Sequence, residues 1–358
     1  MNIALVGLPK SGKTTIFNAL TRSAAATDKY APPASAPNVG VVQVPDARVT
    51  KLSELYQPKK TIYAQIEYRD YPGIFSSHAE NPDNALFSDI KANEGFVLVL
   101  RAFADEELEE LYPAGPALQQ LSTFEEEMIL SDQIVAEKRL EKIELGYKRG
   151  VKTPAIQFEE KILFQVCEHL QSGQPLRTLQ LHPEEEKALR GFRFFSQKPL
   201  LVLINCAEDD FHKLEALKDE IEERGFTVEV IAGRFEEELS KLDSEEAQLF
   251  MEDMGISESI RDRLMHLCYR MLGYISFFTV GEDEVRAWTI EEGDNAVTAA
   301  GKIHSDLARG FIRAECFRYD DLIAHGSEKA LREKGLFRLE GKEYVVKDGD
   351  IISVRFSV

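Results

Sequence analysis

The sequence predicts an α/β protein: a P-loop domain on a largely parallel sheet, interrupted by an antiparallel helical hairpin and followed by a β-grasp-like unit. Three observations predict it. An apolar run, Ile3 to Val6, leads directly into the stretch GLPKSGKTT, Gly7 to Thr15. Strand-like runs at 2–6, 40–44, 61–69, 96–101, 200–204 and 227–231 alternate with helical patterns, as in a parallel α/β sheet. From Ala117 to about Ser172 the pattern changes to two long helices.

The first element is the most specific. Gly7, Gly12, Lys13 and Thr14 have the spacing G-x-x-x-x-G-K-T of a phosphate-binding loop, placed between a strand and a helix. Glycines let the backbone curl so that its N–H groups point at phosphate oxygens. Lys13 is expected on the β and γ phosphates, and the Thr14 hydroxyl on Mg²⁺. The whole run Gly7, Leu8, Pro9, Lys10, Ser11, Gly12, Lys13, Thr14 and Thr15 is the expected cradle. The helix after it adds its positive N-terminal end.

The hairpin rests on two apolar stripes. Leu118, Leu121, Phe124, Met128 and Val135 form one; Phe158, Ile162, Val166 and Leu170 recur every four residues in the other. A turn region at Gly146–Pro154 joins them, and the interspersed charges read as a solvated face. Strands resume after Lys198, so the hairpin is an insertion. The C-terminal unit shows strands at 275–280 and 285–290, a helix near 296–308, a strand at 311–317 and a final hairpin turning at Asp348-Gly349. The expected domains are 1–116 with 197–273, the insertion 117–196, and 274–358.

Composition narrows the class. The 358 residues carry a formal charge of −19, which argues against unaided binding to free DNA or RNA. There is no charged-then-apolar leader and no apolar run of spanning length, so a cytoplasmic location without a membrane partner is expected. The protein is taken as a monomer. Cys167, Cys206, Cys268 and Cys316 are far apart and lack paired metal spacing.

Two further stretches fit a nucleotide site. In YRDYPG, Asp70 follows a strand and is placed for the Mg²⁺ shell; Gly73 is placed to offer a backbone N–H to the γ-phosphate. In LVLINCAED, Asn205, Cys206, Ala207 and Glu208 occupy the place where GTPases carry N-K-x-D. Cys206 stands where a lysine packs over the base, and Glu208 stands for the aspartate that reads guanine. The longer side chain moves the carboxylate, so ATP is expected before GTP, with GTP left open.

With these motifs in order, the sequence resembles the Obg-like ATPase (YchF) family of P-loop GTPases. The resemblance runs through PNVGVV and PDARV at 38–49, GQPLR at 173–177, EEAQLFMEDMG at 245–255, EVRAWTI at 284–290, and RGFIRAE through EGKEYVVKDGDII. It implies a GTPase-type P-loop NTPase domain, a C-terminal TGS domain and slow ATP hydrolysis. It also implies a nucleotide-dependent association with ribosomes. Family members carry an apolar residue after the D-x-x-G glycine, and Ile74 fits. Lys10 departs, standing where the family has Asn, and Ser35 is an approximate counterpart of the first-switch threonine. Lys13, Lys10 and Gly73 are the residues expected to act in hydrolysis; His78 reads as a solvent-facing loop residue. A nucleotide-binding interaction module with negligible turnover, and a GTPase, are the alternative readings.

Overall fold

The apolar run at the N-terminus becomes one of the two central strands of a six-stranded sheet, and most other elements follow from it. The computed structural model describes residues 1–25, 36–72, 85–242, 244–253 and 259–357. The elements that matter here are β1 (Asn2–Val6), α1 (Lys13–Thr21), β2 (Asn38–Gln43), α2 (Ala47–Tyr56), β3 (Lys60–Ile62) and β4 (Gln65–Asp70). Next come α3 (Ala85–Lys91), β5 (Gly95–Arg101), α4 (Glu106–Leu111), α5 (Ala117–Lys148), α6 (Pro154–Gln171), β6 (Leu200–Asn205) and β7 (Thr227–Ile231). The last strands are β8 (Tyr274–Thr279), β9 (Glu284–Glu291), β10 (Phe311–Arg318), β11 (Arg338–Glu340) and β12 (Asp350–Phe356).

The chain falls into two compact units: Met1–Gly40 with Glu67–Ser257, and Val41–Ile66 with Glu258–Val358. This partition differs from the domains expected from sequence. Segments 41–66 and 258–273 group with the C-terminal residues, and the helical insertion groups with the P-loop unit. The run 61–69, read as one strand, is two. β3 pairs in parallel with β9 (Thr61 opposite Val285), whereas β4 pairs with β1. No glycine, proline or other turn signal lies between Ile62 and Gln65, so nothing local announces the break.

In the first unit the strand order is β2-β4-β1-β5-β6-β7. β1 pairs in parallel with β4 and β5, and β6 with β5 and β7. Every residue of β5 and β6 is buried, which explains their unbroken apolar sequences. The register places Leu5 opposite Asp70, Arg101 opposite Asn205, and Asn205 opposite Ile231. The predicted motif residues thus gather at the carboxyl ends of parallel strands, where such sheets bind ligands.

α5 and α6 form the predicted antiparallel insertion, but one stripe serves two cores in succession. Leu121, Phe124 and Met128 pack with Phe96, Leu98 and Val202 of the sheet. Only farther along do Ile129, Ala136 and Ile143 meet Ile162, Val166 and Leu170 of α6. Phe158, read as part of that seam, is 38% exposed. Asp132 ties the insertion down: its carboxylate accepts from the backbone N–H of Phe195 (2.8 Å), that of Ser196 (2.7 Å) and the Ser196 hydroxyl (2.7 Å). Burial pushes its pKa up to about 6 against those three hydrogen bonds.

The second unit is a mixed sheet, β11-β10-β12-β8-β9-β3, around a helix at Ala296–Ile303. Ala296, Ala299 and Ala300 face Phe277, Ile290, Phe311 and Ile352, and these small residues let the helix lie close to the strands. The expected terminal hairpin is not formed. Gly349 does take a turn conformation (φ 84°), but β12 pairs antiparallel with β10 and in parallel with β8, while β11 pairs with β10. Among the described residues no helix is long and apolar enough to cross a membrane.

Candidate nucleotide-binding site

The loop between β1 and α1 has the backbone its sequence requires. Gly7 (φ 143°) and Gly12 (φ 95°) take positive φ, and a Cβ on Gly7 would stand 2.5 Å from the Val99 carbonyl oxygen. Leu8, Pro9, Lys10 and Ser11 lie between them, and Gly12 caps α1, in whose first turn Lys13, Thr14 and Thr15 sit. Lys10 also has positive φ (59°), uncommon for a residue with a side chain.

Lys13 lies back across its own loop, donating to the carbonyls of Gly7 (3.1 Å) and Leu8 (2.7 Å). Burial lowers its pKa to about 8; the nearby Asp70 carboxylate opposes this and the Lys10 charge adds to it. A desolvated ammonium is poised to gain from an arriving anion.

The two residues expected to hold the metal are brought together. The Thr14 hydroxyl donates to Asp70 Oδ2 at 2.8 Å, and the Asn38 amide donates to the same oxygen at 3.1 Å. Asp70 Oδ1 is buried without a hydrogen-bond partner in the described structure. Burial raises the Asp70 pKa, against the hydrogen bonds and the Lys13 charge. An acceptor left bare inside a protein calls for a ligand. Among the described residues no cluster of three His, Cys, Asp or Glu is placed to hold a metal. One carboxylate and one hydroxyl are the sparse protein set that Mg²⁺ uses when phosphates and waters complete its shell. The residues therefore fit that ion.

The stretch Asn205 to Glu208 lies where the chain leaves β6. The Asn205 amide is engaged at both of its atoms. Its Nδ2 donates to the Ser11 carbonyl (2.9 Å) and its Oδ1 accepts from the Gly233 N–H (3.0 Å), so it braces the P-loop. Cys206 is buried in the sheet core with its thiol directed to the Ile231 carbonyl (3.5 Å), and burial pushes its pKa up to about 11. A thiol held there cannot cover a base as the lysine of a GTPase does. Ala207 and Glu208 are exposed where the chain leaves β6. Gly73, with Ile74, His78 and Ser35, lies outside the described residues.

Two participants were not singled out from the sequence. Asn38 sits in PNVGVV, a stretch noted only for its resemblance, and Gly233 follows β7 with no motif around it. A Cβ on Gly233 would stand 2.9 Å from Asn205 Oδ1.

A parallel sheet with a glycine loop between β1 and α1, and an aspartate at the end of the neighbouring β4, defines a P-loop nucleotide-binding domain of the GTPase type. Residues 2–134 match the family model described as a 50S ribosome-binding GTPase, and residues 274–357 match the YchF GTPase C-terminal model, described as a protein of unknown function. The chain belongs to the YchF family. It is 37% identical over 366 residues to the ribosome-binding ATPase YchF of Bacillus subtilis, covering 100% of both chains. The protein of the same name from Pasteurella multocida is 33% identical over 359 residues, covering 99% of this chain and 98% of that one. The solved YchF GTPase of Schizosaccharomyces pombe superposes with a TM-score of 0.82 at 30% identity, over 99% of this chain and 97% of that one.

Proposed function

We propose that this chain is a Mg²⁺-dependent nucleoside triphosphatase that binds and slowly hydrolyses ATP, with GTP as the weaker nucleotide. It acts in the cytoplasm, as a monomer, as a switch whose nucleotide state governs docking on the ribosome. The observation that carries the chemistry is Asp70, with Oδ2 held by Thr14 and Asn38 and Oδ1 bare beside the P-loop. Bound there, Mg²⁺ supplies charge neutralisation on the phosphate oxygens. Lys13 turns from its two carbonyls to the phosphates, and the loop N–H groups hold the β-phosphate. Gly73 offers its N–H to the γ-phosphate, and Lys10 adds a tethered positive charge.

The choice of ATP is supported by the inward-facing Cys206 and by the exposed, longer Glu208 in place of a guanine-reading aspartate. The names of the bacterial relatives support ATP and the ribosome. The insertion, 117–196, and a TGS domain over 274–358 are the docking elements in this reading.

Single-turnover hydrolysis of ATP and GTP by purified protein, with and without ribosomes, tests it. ATP turnover that ribosomes alter is expected. Binding without turnover under both conditions would leave an interaction module instead.

A further inference from the structure

Asn38 opens β2, and the strand's alternation places it. Val39 and Val41 are 54% and 56% exposed, so Asn38 and Gly40 share the opposite face. That face lies against α1: a Cβ on Gly40 would stand 2.5 Å from Thr21 Cγ2 and 3.1 Å from Phe17 Cζ. The missing side chain at Gly40 thus lets β2 run close to α1 and brings the Asn38 amide to Asp70 Oδ2, 3.1 Å away. Thr14 already donates to that oxygen at 2.8 Å. With both donors on one oxygen, the plane of the carboxylate is held from two sides and its other oxygen, Oδ1, is left bare.

We infer that Asn38 is a positioning residue for the divalent cation: it fixes the Asp70 carboxylate so that Oδ1 faces the metal and its waters. The inference rests on the magnesium reading above. Thr14 keeps a lone pair for the cation while its proton stays on Oδ2. Asn38 supplies the second donor, which carries no duty toward the nucleotide. Residues that orient a metal ligand in this way tune affinity for the metal rather than for the rest of the ligand.

The test uses the full chain and the β,γ-imido analogue of ATP. Its affinity is measured by calorimetry in EDTA and across a Mg²⁺ titration. In Asn38→Ala and Asn38→Leu, affinity in EDTA is expected to stay within about twofold, while the Mg²⁺ concentration at half-effect rises about tenfold or more. Asn38→Gln, which keeps an amide donor, should recover part of that loss. An unchanged Mg²⁺ half-point in both the Ala and Leu variants overturns the inference. So does an equal loss with and without Mg²⁺, which would mark a general structural role. If the unsubstituted protein binds the analogue equally well in EDTA and in Mg²⁺, the magnesium reading falls and takes the inference with it.

Discussion

A Cβ placed on Gly12 would stand 2.1 Å from Asn205 Nδ2, the atom that holds the Ser11 carbonyl. The P-loop is therefore braced from β6 by a side chain that fits only because residue 12 is glycine. Gly12→Ala should displace Asn205 and also strain a backbone at φ 95°. Nucleotide affinity should fall by an order of magnitude or more. Asn205→Ala leaves two buried backbone groups unpaired, at a cost of about 1–3 kcal/mol, and should weaken binding of ATP and GTP alike. A change in ATP-to-GTP preference in this variant, by competition binding, would return Asn205 to the base.

Lys13 separates binding from stability. Its burial lowers its pKa to about 8, so the free protein gains little from its charge. Lys13→Met should leave the melting temperature without nucleotide nearly unchanged. Its affinity should fall at least tenfold, since a charge-assisted hydrogen bond is worth about 1.5–3 kcal/mol. Thermal melts with and without Mg²⁺-ATP check both halves. A nucleotide-induced shift equal to that of the unsubstituted protein would remove the P-loop assignment.

What could be read in advance was what is local. The loop 7–15 declares itself because its chemistry, its glycines and its flanking elements lie within one short stretch. The strands β5 and β6 were legible because burial on both faces leaves an unbroken apolar run. Asn205 was found by position, but its bracing of the P-loop was not legible, since its partners, Ser11 and Gly233, are 194 and 28 residues away. The split between β3 and β4 was hidden because both halves favour strand, and only pairing with β9 or β1 separates them. Gly73 was read from the same local logic, and it lies outside the described residues.

Segment 41–66 belongs to the C-terminal unit, and a clamp holds it there. Arg48 donates to Asp348 at 2.6 Å and to Asp46, and lies 5.0 Å over the Phe278 ring; Asp348 also accepts from the Ser276 N–H at 2.9 Å. Arg48→Ala should cost about 1–2 kcal/mol, given charged hydrogen bonds and partial exposure. Ending the chain at residue 273 is the harsher test. It removes β9, the partner of β3, and the sheet of the unit in which Val49 and Leu52 are fully buried. The truncated protein should melt lower and bind an apolar dye. Intact melting behaviour would show that 41–66 is stable without the residues that follow 273.

Asp132 predicts a pH dependence. Its pKa is raised in the folded state to about 6, so folding takes up its proton as pH falls. The stability it contributes is fully present below about pH 3.8 and is lost as pH rises through about 6. A shift of this size corresponds to about 3 kcal/mol. Urea unfolding at pH 4 to 7 should show the advantage of the unsubstituted protein over Asp132→Asn shrinking as pH rises. A difference that is flat across this range would mean the carboxylate titrates normally.

Lys10 joins backbone to chemistry. At φ 59° it occupies a region where asparagine is at ease and a long side chain is not. Lys10→Asn should therefore cost no stability and should ease the loop, which makes it a clean probe of the charge. If Lys10 supplies a fixed ammonium beside the phosphates, hydrolysis by the unsubstituted protein is indifferent to K⁺ or Na⁺. Preorganised charge of this kind needs no rearrangement as the bond breaks, and it stabilises charge developing between the β and γ groups. In Lys10→Asn, turnover should then slow at saturating ATP, or come to depend on K⁺, because the amide offers a ligand where the ammonium offered charge. The same change should raise the Lys13 pKa, since a like charge that depresses it is removed. Turnover of Lys10→Ala equal to the unsubstituted rate at saturating ATP would show that the ammonium plays no part in hydrolysis.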